Sequence, residues 1–83
     1  MKAWADAEAL RRLRWNCRRG MLENDLMLEH FLRRRADRID RMELERLNRL
    51  LECDDNTLWD LLSGRARCEC AELQVAVEAI RAA

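Results

Sequence analysis

The stretch Arg18-Arg19-Gly20-Met21-Leu22-Glu23-Asn24-Asp25 interrupts a chain otherwise written in helix-forming residues. Gly20 is one of only two glycines among 83 residues, and there is no proline. Leu, Ala, Arg and Glu dominate, and these favour helix; the aromatic and β-branched residues that favour strands are scarce. Glycine accepts the left-handed backbone that ends a helix, so Gly20 predicts a stop for the helix before it. Glu23 and Asp25 suit the positive end of a helix that starts just after it. The expected class is all-α, a compact bundle of five short helices.

Upstream of the break, Leu10, Leu13 and Cys17 recur at helical spacing behind Asp6 as an N-cap, predicting a helix over about 7–18 with Gly20 as its left-handed terminator. Downstream, Leu22, Leu26, Leu28, Phe31 and Leu32 form the expected buried side of a helix over about 22–35. It closes on Arg33, Arg34 and Arg35, charges that suit a helix C-terminus. Asp40 and Glu43 make a capping-box pattern before Leu44, Leu47, Leu50 and Leu51, a third helix reaching about Glu52. Asp54 or Asp55 caps a fourth, carrying Leu58, Trp59, Leu61 and Leu62 as far as Ser63-Gly64. After an irregular Arg65 to Cys68, Leu73, Ala76, Val77 and Ile80 share one face of a fifth. Residues 1–83 form one domain in this reading, near the lower size limit for a core without disulfides or metal.

Formal charge is zero, yet it is unevenly spread: 13 basic and 9 acidic residues lie through Arg49, and 3 basic and 7 acidic from Leu50 onward. Such a dipolar surface orients a protein partner, whereas nucleic-acid binders carry a net basic excess to displace counterions. No apolar run approaches the roughly 20 residues needed to span a bilayer. The first 19 residues are Arg-rich and amphipathic like a mitochondrial presequence, but they contain Asp6 and Glu8 and no serine. They read as mature structure, and the expected setting is bacterial cytoplasm. There Cys17, Cys53, Cys68 and Cys70 stay free thiols.

Signatures of catalysis are missing. Two isolated glycines build neither a dinucleotide fingerprint nor a phosphate loop, and the chain is too short for a complete dinucleotide-binding domain. His30 is the single histidine and has no base or nucleophile on its own helix face. Cys68 and Cys70 form a CxC pair, but tetrahedral zinc needs four ligands, and Cys17 and Cys53 fall at core positions. No metal site and no stably bound cofactor are expected. The arginines at 11, 12, 14, 18 and 19, and at 33, 34, 35 and 38, either form a solvated face or contact anions. With Trp4 and Trp15 nearby, a small nucleic-acid-binding bundle is the alternative reading.

The turn itself supports two readings from physics. Capping and helix dipoles alone account for Arg18, Arg19, Gly20 and Glu23. The same corner can equally present a guanidinium and a carboxylate with no bulk between them, open to another backbone.

At these residues the chain resembles the succinate dehydrogenase assembly factors that promote flavinylation, whose signature RGxxE falls on Arg19, Gly20 and Glu23. The wider match runs from Trp15 to Asp25. A second block, Leu50-Leu51-Glu52-Cys53-Asp54-Asp55 followed by Leu58-Trp59, lies at the expected distance. The resemblance covers about residues 10–80 and departs at Asn56, where a proline is familiar, and over Arg65 to Cys70, where a shorter loop with an acidic cap is expected. It implies a five-helix bundle that is not an enzyme. Such a protein is a monomer that binds the flavoprotein subunit of succinate dehydrogenase, with the fumarate reductase relative as a second client, and promotes covalent attachment of FAD to that partner. It further implies that Arg18, Arg19, Gly20, Met21, Glu23 and Asp25 contact the partner. Asp54 and Asp55 are secondary candidates, left out of that set because helix capping accounts for them.

Overall fold

The computed structural model describes residues 4–35 and 38–83. Five helices follow one another: α1 (Ala7–Asn16), α2 (Leu22–Arg35), α3 (Arg41–Leu50), α4 (Asp55–Leu62) and α5 (Ala71–Ala82). The class is all-α, as the composition predicts. Among the described residues the sole extended pairing is an isolated antiparallel bridge between Trp4 and Asp40, beside which the Ala5 amide donates to the Ile39 carbonyl at 3.0 Å.

Three of the five starts are fixed by aspartates. Asp6 accepts the Ala9 amide at 2.7 Å, Asp40 the Glu43 amide at 2.8 Å, and Asp54 the Thr57 amide at 2.7 Å. Each carboxylate satisfies a donor that has no partner within its own helix and places negative charge at the positive end of the dipole. The Thr57 amide is also the main reason the Asp54 carboxyl titrates below its ordinary range. The α5 start is different. Cys70 holds the N-cap position and makes no side-chain cap bond.

Helix α5 packs against α2, α3 and α4, while α1 lies on α3 and α2 on α4. The core these contacts enclose contains Leu13, Leu28, Phe31, Ile39, Leu58, Leu62, Val77 and Ile80, all essentially removed from solvent. Burial of this kind, rather than helix propensity, is what holds helices of 8 to 14 residues in place.

Helix α2 departs from expectation. Leu28, Phe31 and Leu32 are buried, but Leu22 and Leu26 are 66 % and 55 % exposed, and the residue completing the inner face is Asn24. Positions 24, 28 and 31 share one helical stripe, and Leu22 and Leu26 lie on another. Six apolar residues over eleven positions, Met27 among them, span more than one face, and packing against α4 and α5 selects the stripe that carries the asparagine.

The first helix also ends sooner than expected. Cys17 is its C-cap, with its amide on the Leu13 carbonyl at 3.0 Å, and the Arg18 amide reaches the Trp15 carbonyl at 3.1 Å. Gly20 is left-handed at φ 98°, but it stands inside the connection and does not close α1. Gly64, at φ 85°, does occupy the position following a C-cap, Ser63 of α4, and its amide donates to Leu61 at 3.2 Å.

Candidate functional site

Residues 17–21 cross from α1 to α2 in a turn held by Asp25, one helical turn into α2. Its Oδ1 accepts the Arg19 amide at 2.9 Å and its Oδ2 the Gly20 amide at 3.1 Å. Two consecutive backbone donors thus converge on one carboxylate, which fixes Gly20 in its left-handed conformation. A Cβ built on Gly20 would meet nothing within 4 Å, so the glycine is required by its backbone angle while the space outside it stays open.

Arg19 turns inward. Its Nε donates to Asp55 Oδ1 at 2.5 Å, its Nη1 to the Leu51 carbonyl at 2.6 Å, and its Nη2 to the Cys53 carbonyl. Leu51 is the C-cap of α3 and Asp55 the first residue of α4. The guanidinium therefore bridges carbonyls at the negative end of one helix and a carboxylate at the positive end of the next, an arrangement of charge-assisted bonds that suits its planar fork. Its side chain is only 16 % exposed. Asn24 adds a second tie, its Nδ2 donating to the Asp55 carbonyl at 3.0 Å and to Met21 Sδ at 3.4 Å, while its buried Oδ1 has no partner. Asp55 is the hub, its side chain serving Arg19 and its carbonyl Asn24.

The expected guanidinium and carboxylate pair at the corner is therefore not built as such. Arg19 pairs with Asp55, 36 residues away, and among the described residues Glu23 makes no hydrogen bond or ion pair and faces solvent. Of the six residues singled out from sequence, Arg18, Gly20 and Glu23 are exposed, Met21 and Asp25 are half-buried, and Arg19 supports the corner from beneath. Asp55, set aside as a cap, belongs with the support. Three exposed apolar side chains flank the turn: Trp15 at 75 %, and Leu22 and Leu26. For Leu22 and Leu26 the sequence signal is the doubled apolar face of α2.

Beside the corner lies a groove of about 590 Å³ between the end of α1 and α2, with Cys17 and Leu32 among its lining. Burial pushes the Cys17 thiol up to about 11, despite the lowering influence of Arg19. Burial likewise raises Cys53, whereas the Leu73 amide at the start of α5 lowers Cys70. All four cysteines are free thiols. Among the described residues no group of three or more His, Cys, Asp or Glu is placed to hold a metal ion, and no helix is long and apolar enough to cross a membrane.

Comparison with known proteins gives this corner a context. The family model described as flavinator of succinate dehydrogenase matches residues 11–83. An FAD assembly factor SdhE from Idiomarina loihiensis is 43 % identical over 63 residues, covering 76 % of this chain and 70 % of that protein. The proteins of that name from Coxiella burnetii and Pseudomonas aeruginosa are each 37 % identical, over 88 % and 92 % of this chain and 89 % and 90 % of their own length. No solved structure matches. The matched span includes both the open Gly20 corner and the α3–α4 loop that supports it, and the chain belongs to the family of succinate dehydrogenase flavinators.

Proposed function

We propose that this protein binds the flavoprotein subunit of succinate dehydrogenase, with the fumarate reductase flavoprotein as a second client, and promotes covalent attachment of FAD to it. The observation that carries this reading is the family match across residues 11–83, where the relatives are named FAD assembly factors. The geometry supports a docking role for the turn: Gly20 open to approach, and Glu23 and Arg18 an exposed carboxylate and cation, unpaired among the described residues, on a corner braced from within by Arg19. A backbone can come close at Gly20 because no side chain intervenes.

The chain acts as an assembly factor in bacterial cytoplasm, as a monomer, and not as an enzyme. It holds no cofactor of its own, and FAD is the cargo of the partner. Its contribution is positioning: binding energy favours the partner conformation in which the flavin and its attachment residue are aligned. The nucleic-acid alternative finds no support in these relatives.

Covalent flavin fluorescence of the partner subunit on a denaturing gel tests the reading. Gly20→Ala and Gly20→Arg impose the same backbone strain, since any L side chain meets the left-handed φ, but only arginine fills the open space. Stimulated flavinylation should survive Gly20→Ala and be lost in a folded Gly20→Arg variant, and Glu23→Ala should weaken it. Normal flavin incorporation with both Gly20→Arg and Glu23→Ala would refute the docking corner.

A further inference from the structure

The groove beside the turn carries more charge than the fold uses. Its rim holds Arg14, Arg18 and Arg33 against Asp25 and Glu29, one net positive charge. Glu29 pairs with Arg33 at 2.7 Å, and Asp25 spends both oxygens on the turn amides. Among the described residues, the side chains of Arg14 and Arg18 have neither a hydrogen bond nor an ion pair, as holds for several other surface arginines, whereas Arg33, the third arginine of the groove, is paired with Glu29. Arg14 lies in the last turn of α1, and Arg18 follows its C-cap Cys17, outside the helix. A favourable dipole at the end of α1 needs one of them, not both. The floor between them is apolar, formed by Leu32 and by Cys17, whose buried thiol stays uncharged.

We infer that this groove seats a segment of the partner in which a carboxylate side chain neighbours an apolar one, the carboxylate received by Arg14 and Arg18 and the apolar residue lying on Cys17 and Leu32. The inference rests on the proposed function and names the chemistry of the partner's contact. Two guanidinium forks with free donors match a carboxylate, and an apolar floor of this size holds one side chain next to it. Because Gly20 borders the same groove, a chain that approaches the open corner passes directly over it. The groove thereby extends the contact from the turn along the exposed side of α1.

Binding of the isolated flavoprotein subunit, measured from low to high salt, tests this. Wild type, Glu23→Ala, Arg14→Glu/Arg18→Glu and Arg14→Lys/Arg18→Lys are compared after circular dichroism confirms equal helicity. Charge reversal should weaken binding on the order of tenfold at low salt and flatten its salt dependence, while the lysine variant keeps most of the affinity. An unchanged affinity and salt slope on charge reversal, alongside wild-type binding that Glu23→Ala weakens, overturns the groove and leaves the proposed function standing. Failure of wild type to bind at any salt overturns both. Free FAD is titrated in parallel. Wild-type binding of FAD that is lost on charge reversal assigns the two arginines to a phosphate-bearing ligand and overturns the carboxylate.

Discussion

The α1–α2 and α4–α5 connections each contain a left-handed glycine, at φ 98° and 85°, yet the surroundings of the two differ. A Cβ on Gly64 would lie 2.7 Å from Arg81 Nη2 and 3.1 Å from its Cζ, so the molecule's own side chain covers that turn. A Cβ on Gly20 would meet nothing. Gly64 closes α4 in the ordinary way, directly after the C-cap. Gly20 closes nothing, and its turn is instead bound by Asp25 and braced by Arg19 across to the α3–α4 loop. The same backbone requirement thus serves two ends, and only one of the corners spends buried polar bonds on keeping its outer surface clear.

Removing the brace should erase that difference with the largest effect. Arg19→Ala strips three charge-assisted bonds from Asp55, Leu51 and Cys53 in a half-buried setting, leaving acceptors there unmatched, at a cost of about 2–3 kcal/mol. For a domain of this size that lowers Tm by roughly 10 °C or more, read by circular dichroism. A variant that melts like wild type would mean that Arg19 is free to serve the surface after all, as the sequence alone suggested.

The cysteines near the two corners sharpen the comparison through pH. Cys17, beneath the first, has its thiol raised from an ordinary 9.0 to about 11, and Cys70, beyond the second, is lowered. A raised thiol favours the folded state while protonated, so its contribution is complete below about pH 9 and lost as pH climbs through 11. That loss is on the order of 2 kcal/mol. Denaturant midpoints at pH 7, 9 and 11 should therefore fall more steeply in wild type than in Cys17→Ala. At neutral pH in the native protein, mass spectrometry should find Cys70 alkylated well before Cys17. Equal rates at both would remove the contrast.

The smallest effect expected is that of a methyl group. Gly20→Ala and Gly64→Ala each meet an unfavourable φ, at about 1 kcal/mol. Gly64→Ala should be worse by a few tenths, because the methyl also displaces the flexible end of Arg81. Chemical denaturation compares them, and a costlier Gly20→Ala would show that the first corner is less open than its geometry indicates.

Local chemistry made most of the fold readable. Asp6, Asp40 and Asp54 cap where their spacing predicts, and Leu13, Leu47, Leu58, Val77 and their neighbours fill the core. What escaped depends on distant residues. Helical periodicity cannot say which of two apolar stripes on α2 meets α4 and α5; it points to Leu22 and Leu26, whereas the core holds Asn24 instead. Nor can a pattern local to 18–25 reveal that the partner of Arg19 is Asp55, because that pairing exists only after the chain has folded back on itself. The start of α5, preceded by the Arg65 to Cys70 segment that departs from the family pattern, is the one start among α1, α3, α4 and α5 whose N-cap residue makes no side-chain cap bond.

The bond from Arg19 to Asp55 also orders events during synthesis. When α1 and α2 have emerged, Gly20 and Glu23 are already present, but the carbonyls and carboxylate that hold Arg19 belong to residues 51–55 and arrive later. Contacts of such sequence separation form late because the intervening loop must close first. A truncated or half-folded chain carries the signature residues without the braced corner, and the docking surface proposed there is complete only once the factor has itself folded.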